Sequence, residues 1–301
     1  MRTSRFVIGI ILLLSSVAFS QPGSAGFQIL TLGYSARDLS LSNSMDAVTN
    51  EPVAVYTNPA GLAGDPNENG MGLNFMLTHR TYYVGSTIDM FGTRFEGGGL
   101  SFGTSLLLSS VPDIEVRTTP GDPQATFNAK DFAFAGGVAR KFGNVDIGVS
   151  AMYLFEKLFV YESQGYAFNF GARYSPAENV ELGLSAGNLG STTAMISDKV
   201  TLPAFARIGG SYKATIDENS SATGYLGVTT FKSGGITPAV GAEFDYRQLL
   251  RLRAGYSSGQ DLTGFSFGAG INYRFLSFDY SYIPVRNNFG NSQTFTLSFN
   301  L

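Results

Sequence analysis

Over its last fifty residues the chain alternates in type. From Gly264 to Phe275, the residues Phe265, Phe267, Ala269, Ile271, Tyr273 and Phe275 interleave with Gly264, Ser266, Gly268, Gly270, Asn272 and Arg274. A period of two predicts a strand with two unlike faces. Leu250/Leu252/Ala254/Tyr256, Leu276/Phe278/Tyr280/Tyr282 and Phe295/Leu297/Phe299/Leu301 repeat it against small and polar partners. Read back along the chain, the same pattern predicts fourteen strands: 70–78, 81–91, 95–108, 131–142, 144–156, 163–175, 179–187, 203–214, 221–231, 236–246, 250–258, 264–275, 276–284 and 292–301. The phase slips between Phe275 and Leu276, which marks a turn by periodicity alone.

The segment 21–69 does not alternate. Leu30, Leu32, Ala36, Leu39, Leu41, Met45 and Val48 suit short helical turns, broken later by Pro52, Pro59 and Pro66. It holds too little apolar surface to fold alone, so it is expected to pack on or inside the strands of 70–301. Ahead of it, Arg2 and Arg5 precede the apolar run Phe6–Leu14, and Ala18-Phe19-Ser20 is a small-x-small cleavage site. Residues 1–20 therefore read as a signal peptide.

The polar faces carry mostly Gly, Ser, Asn and Thr, while apolar rows often end in Tyr or Phe, as at Tyr174, Tyr246, Tyr256, Tyr273 and Tyr282. A secreted sandwich also alternates, with its apolar set inward. Aromatic ends to the apolar rows fit instead the interfacial girdles of a membrane barrel. The connections agree in part, with long loops expected at Ser109–Lys130 and Asn188–Leu202 and short turns near Gly143, Ser175–Asn179 and Arg247–Leu249. The expected fold is thus all-β, a transmembrane antiparallel barrel of about fourteen strands with an N-terminal periplasmic or lumenal hatch, in contact with outer-membrane lipid.

With the apolar face on lipid, strand charges face the lumen. Glu243, Asp245, Arg251, Arg253, Arg274 and Asp279 gather near the periplasmic end. They read either as cross-strand pairs that satisfy the inner wall or as a ring gripping the hatch through Arg37, Asp38, Asp46 and Glu51. Gly97, Gly98 and Gly99 read either as a turn into the third strand or as a kink opening the wall.

Composition narrows function by exclusion. With 37 glycines, 25 phenylalanines and 15 tyrosines among 301 residues, strands are favoured. A net charge of -3 offers no nucleic-acid footprint, and the lack of cysteine removes thiolate chemistry and disulfides. His79, the single histidine, sits at a strand end without triad partners. No metal-ligand spacing or phosphate loop is evident, so no cofactor and no catalysis are expected.

One stretch carries a resemblance. GFQILTLGYSARDLSLSNSMDAVTNEPVAVYTNPAGLAG holds Phe27 and Leu30, then Gly33, Ala36 and Arg37, then Tyr56 ahead of Asn58, Pro59, Ala60, Gly61 and Leu62. This pattern resembles the PorV/PorQ family, whose barrel is similar to FadL-type transporters. Asn188-Leu189-Gly190, Leu252–Tyr256 and Phe278-Asp279-Tyr280 extend it. The resemblance implies a non-enzymatic outer-membrane protein of type IX-like secretion. Its implied partners are C-terminal domains of secreted proteins and a surface attachment complex. The alternative is a FadL-like transporter of hydrophobic small molecules. The small, polar inward sets speak against a greasy lumenal pocket.

Overall fold

The computed structural model describes residues 26–63, 72–82, 85–195, 199–232, 234–259, 264–285 and 290–301. The signal peptide expected at 1–20 lies outside them. Fourteen strands are present: β1 Asn74–Thr81, β2 Thr87–Gly97, β3 Leu100–Val116, β4 Ala125–Phe142, β5 Val145–Leu158, β6 Tyr161–Ala177, β7 Val180–Thr192, β8 Phe205–Asp217, β9 Ser220–Phe231, β10 Ile236–Tyr246, β11 Leu250–Ser257, β12 Phe265–Tyr273, β13 Leu276–Pro284 and β14 Asn291–Asn300. Each pairs antiparallel with its chain neighbour, and β1 pairs β14 from Asn74↔Asn300 to Thr81↔Gln293. Closure leaves no edge, the condition for a sheet to cross a bilayer.

The apolar phase points outward. Phe134 is 49% exposed, Ile208 60%, Leu226 60% and Phe265 58%. A soluble sandwich would bury these side chains; here the solvent that covers them is lipid. One set of connections is tight throughout: 98–99, 143–144, 178–179, 218–219, 247–249 and 274–275. That end is periplasmic by barrel convention.

The long-loop expectation fails at Ser109–Lys130. Strand pairing continues to Val116↔Ala125 across a bulge between Val111 and Ile114, which shifts the register by one residue before Ile114 pairs with Phe127. At Asn188–Leu202 the ladder also runs on, to Thr192, and Asn188 itself sits in a bulge opposite Asn169. β3 to β6 thus stand taller than the rest, at 17, 18, 14 and 17 residues against 8 in β1 and β11.

The wall-opening reading of Gly97, Gly98 and Gly99 is corrected. Gly97 ends β2, and Gly98 (φ 62) and Gly99 (φ 75) form a two-residue turn into β3. Positive φ at both central positions is what a type I′ hairpin needs, and glycine adopts it without a Cβ clash. A side chain there would meet open space, at the rim and not in the wall. Arg274 is corrected likewise: it lies in the β12–β13 turn, exposed, outside the lumen.

The candidate functional site: a plugged lumen

Residues 26–63 fill the barrel. They comprise 3-10 turns at Gln28–Thr31, Pro52–Val55 and Pro59–Ala63 and one short helix, α1 Ala36–Ser40, whose N-cap Ser35 accepts from the Asp38 amide. Phe27, Ala36, Leu41, Val53, Val55 and Leu62 reach 0–1% exposure. Glycines on the inward phase make this fit possible. A Cβ at Gly148 would overlap the Pro59–Ala60 backbone, and one at Gly183 would overlap the Ala47 carbonyl. The small residues of the polar face are therefore seats for the plug, not surface facing open water.

The lower plug is held by charge. Arg37 donates through Nε and Nη2 to the two oxygens of Glu243 (both 3.1 Å), and lies 3.5 Å from Glu51. Register places Glu243 opposite Arg253, and Arg253 reaches across Gly270 to Asp279; both contacts are 2.5 Å. Arg251 pairs with Asp245 (2.8 Å) nearer the rim. Three of the six charges read from the sequence as a lumenal ring, Glu243, Arg253 and Asp279, thus form a linked array with Arg37 of the plug as its inner member, and Asp245 and Arg251 form a separate pair beside it. Asp46 answers a different residue, Arg207 of β8 (3.0 Å).

Besides Arg80, three wall arginines escaped the sequence reading as plug contacts. Arg94 donates to the Leu62 carbonyl (2.7 Å), Arg173 to the Val48 and Thr49 carbonyls (3.4 and 3.2 Å) while paired with Asp146 (2.8 Å), and Arg207 to the Thr57 carbonyl (3.2 Å). The available signal was their place on the inward phase of long strands. An inward arginine needs acceptors, and plug carbonyls supply them.

The motif residues pack the plug against the wall. The Tyr56 hydroxyl lies within hydrogen-bond distance of the Ser105 and Ala133 carbonyls (3.0 and 3.1 Å) and donates to one at a time. Asn58 donates to the Ala47 and Ala172 carbonyls and accepts from the Ala60 amide, fixing the turn through Pro59, Gly61 and Leu62.

Asp38 is the exception. Its carboxylate is fully buried with neither oxygen hydrogen-bonded. Burial first, then the nearby Asp46 and Glu51 charges, push its carboxyl well above the usual range. A raised carboxyl pKa means stability present below the unfolded value, about 4, and lost as pH rises toward the folded value. Asp38→Asn is therefore expected to raise the thermal midpoint of the folded-to-unfolded gel shift at pH 7.5. The gain should shrink as pH falls to 4; an equal gain at both would refute the assignment.

The upper part of the plug meets a different wall. Thr78, Met90, Leu107, Ala133 and Leu154 face each other along one register row, and Met76, Gly92, Ser105, Ala135, Met152 and Ala167 along the next. The Met, Leu and Ala side chains of these rows make one apolar cluster with Phe27, Ile29, Leu30 and Leu202. The expectation of a small, polar lumen is thus corrected for β1 to β6, where bulky Met and Leu share the inward phase. The links from this segment to the barrel include Gly26 to the Thr201 carbonyl of the β7–β8 loop (3.1 Å) and Arg80 of β1 to the Gly33 carbonyl (3.4 Å). The plug separates a polar cavity of about 270 Å³ beside Arg37, Arg251 and Asp279 from two smaller ones, about 60 and 30 Å³, toward the other mouth.

A closed fourteen-stranded barrel with a lipid-facing aromatic wall and an N-terminal plug defines an outer-membrane β-barrel. Solved structures of that kind are similar to it throughout. The Pseudomonas putida toluene transporter TodX matches with a TM-score of 0.62 at 14% identity, over 88% of this chain and 96% of that one. The CymD monoaromatic hydrocarbon channel matches at 0.55 and 12%, over 93% and 97%. No protein-family model and no curated protein sequence matches the chain.

Proposed function

We propose that this barrel passes apolar small molecules across the outer membrane, with Phe27–Leu32 as the movable part of its plug. The apolar inner wall of β1 to β6 carries the reading. A pocket for an apolar guest is lined by such side chains, and here Phe27, Ile29 and Leu30 occupy the place a guest would take. Exchanging one apolar occupant for another returns most of the roughly 1.5–3 kcal/mol that each buried side chain contributes. Below it, ion pairs at Arg37 and Asp46 and hydrogen bonds as far as Leu62 hold the rest of the plug in place. The similar structures, a toluene transporter and a monoaromatic hydrocarbon channel, agree in substrate class.

A second reading, of the PorV/PorQ type, has one observation in its favour. The β5–β6 tip, Leu158, Phe159, Val160 and Tyr161, is 42–65% exposed on the tall wall and would suit a C-terminal domain of a secreted protein or a surface attachment complex. One deletion strain separates the two. Slower entry of labelled toluene, restored by the complementing gene, supports transport. Unchanged entry with loss of surface-attached proteins overturns it in favour of the second.

A further inference from the structure

Two periplasmic turns are built from the wrong residues for their backbone. The β10–β11 turn places Arg247 (φ 54) and Gln248 (φ 54) in the left-handed region, and the β12–β13 turn places Arg274 there (φ 56). Hairpins of this geometry favour Asn-Gly or a first-position glycine. The chain uses glycine for the same purpose on the same rim, at Gly98, Gly99 and Gly143. Strained non-glycine residues persist where something other than the turn selects the side chain.

The two guanidinium groups share a setting. Arg247 lies 5.3 Å from the ring centroid of Tyr246, and Arg274 5.5 Å from that of Tyr273. Both tyrosines end outward rows, 40% and 63% exposed, at the lower aromatic girdle. Asn272 donates to the Gln248 carbonyl (3.2 Å), which stitches the turns together. The adjacent carboxylate, Asp245, is taken by Arg251, and neither Arg247 nor Arg274 has a carboxylate partner among the described residues. Arg140, within β4, also lies over an aromatic ring on this rim, that of Phe142 (5.1 Å).

We infer that Arg247 and Arg274 form an anchoring site for the headgroup phosphate of an anionic phospholipid in the periplasmic leaflet. Arginine matches phosphate by its fork of N–H donors. The tyrosines beneath face acyl chains, which selects a lipid phosphate over a free one.

The test compares three proteins: the wild type, Arg247→Asn/Arg274→Gly, which relieves the backbone, and Arg247→Gln/Arg274→Gln, which removes charge and keeps the strain. Thermal unfolding is followed in detergent alone, then with added phosphatidylglycerol, phosphatidylcholine or inorganic phosphate. The wild type should gain several degrees from phosphatidylglycerol and little from the other two. Both variants should lose that gain, and only the first should start out more stable than the wild type. A retained gain in either variant, or an equal response to phosphatidylcholine or to free phosphate, overturns the assignment.

Discussion

An Arg253→Ala barrel is expected to be less stable by about 3–5 kcal/mol, the usual cost of leaving buried charges without their partner. Arg253 has no exposed side-chain surface and serves two carboxylates, Glu243 and Asp279, exposed only 7% and 9%. Its loss leaves Glu243 with Arg37 alone and Asp279 without an ion-pair partner among the described residues. Arg251→Ala is the control. The same type of pair with Asp245, at 27% and 18% exposure, sits nearer water and is worth about 1 kcal/mol or less. Urea unfolding of both variants in lipid vesicles checks the ordering. Equal losses would mean that burial does not set the strength of the array.

Removing residues 22–66, which span the plug, should convert a closed barrel into an open one. The ladder from β1 to β14 closes without any plug residue, so the wall survives. Glu243, Arg173 and Arg207 lose their plug partners, but they then face water, which solvates them and limits the cost. The Met and Leu rows of β1 to β6 do become wet, and the truncated barrel should unfold at a lower temperature than the full chain. Planar-bilayer recordings should show large, steady conductance where the full chain shows brief or no openings. A truncated barrel that stays closed would remove the plug from any gating role.

Much of the wall was legible because each strand has to satisfy two solvents at once. Lipid on one side and plug on the other enforce period two, and that period is written residue by residue. The slip at Phe275–Leu276 located a turn with no turn residue to announce it, and the structure puts Arg274 and Phe275 there. The ends of the tall strands were hidden, since above the bilayer the outward face meets water and the pattern weakens. β3 and β4 go on pairing past Ser109 through residues whose alternation a bulge interrupts.

Within the site, charge type and phase were legible but partnership was not. Glu243 and Arg253 could be read as neighbours, because adjacent strands in a meander share a register. That Arg37 completes the array, that Arg207 and not the ring holds Asp46, and that Arg94 and Arg173 hold plug carbonyls depend on contacts 32 to 206 residues apart in sequence. No local pattern encodes such distances.

The sequence by itself determined a chain whose strands alternate, whose apolar phase carries aromatic ends and whose segment ahead of the strands belongs to neither face. Those are properties of neighbouring residues. Only the tertiary structure decided that the inward glycines are seats for a backbone, that Gly97–Gly99 is a rim turn, and that Met and Leu side chains make an apolar region of the lumen within β1 to β6. These follow from what lies across the barrel. A lumenal side chain is chosen by the plug that touches it, and the plug comes from a part of the chain with no periodicity of its own.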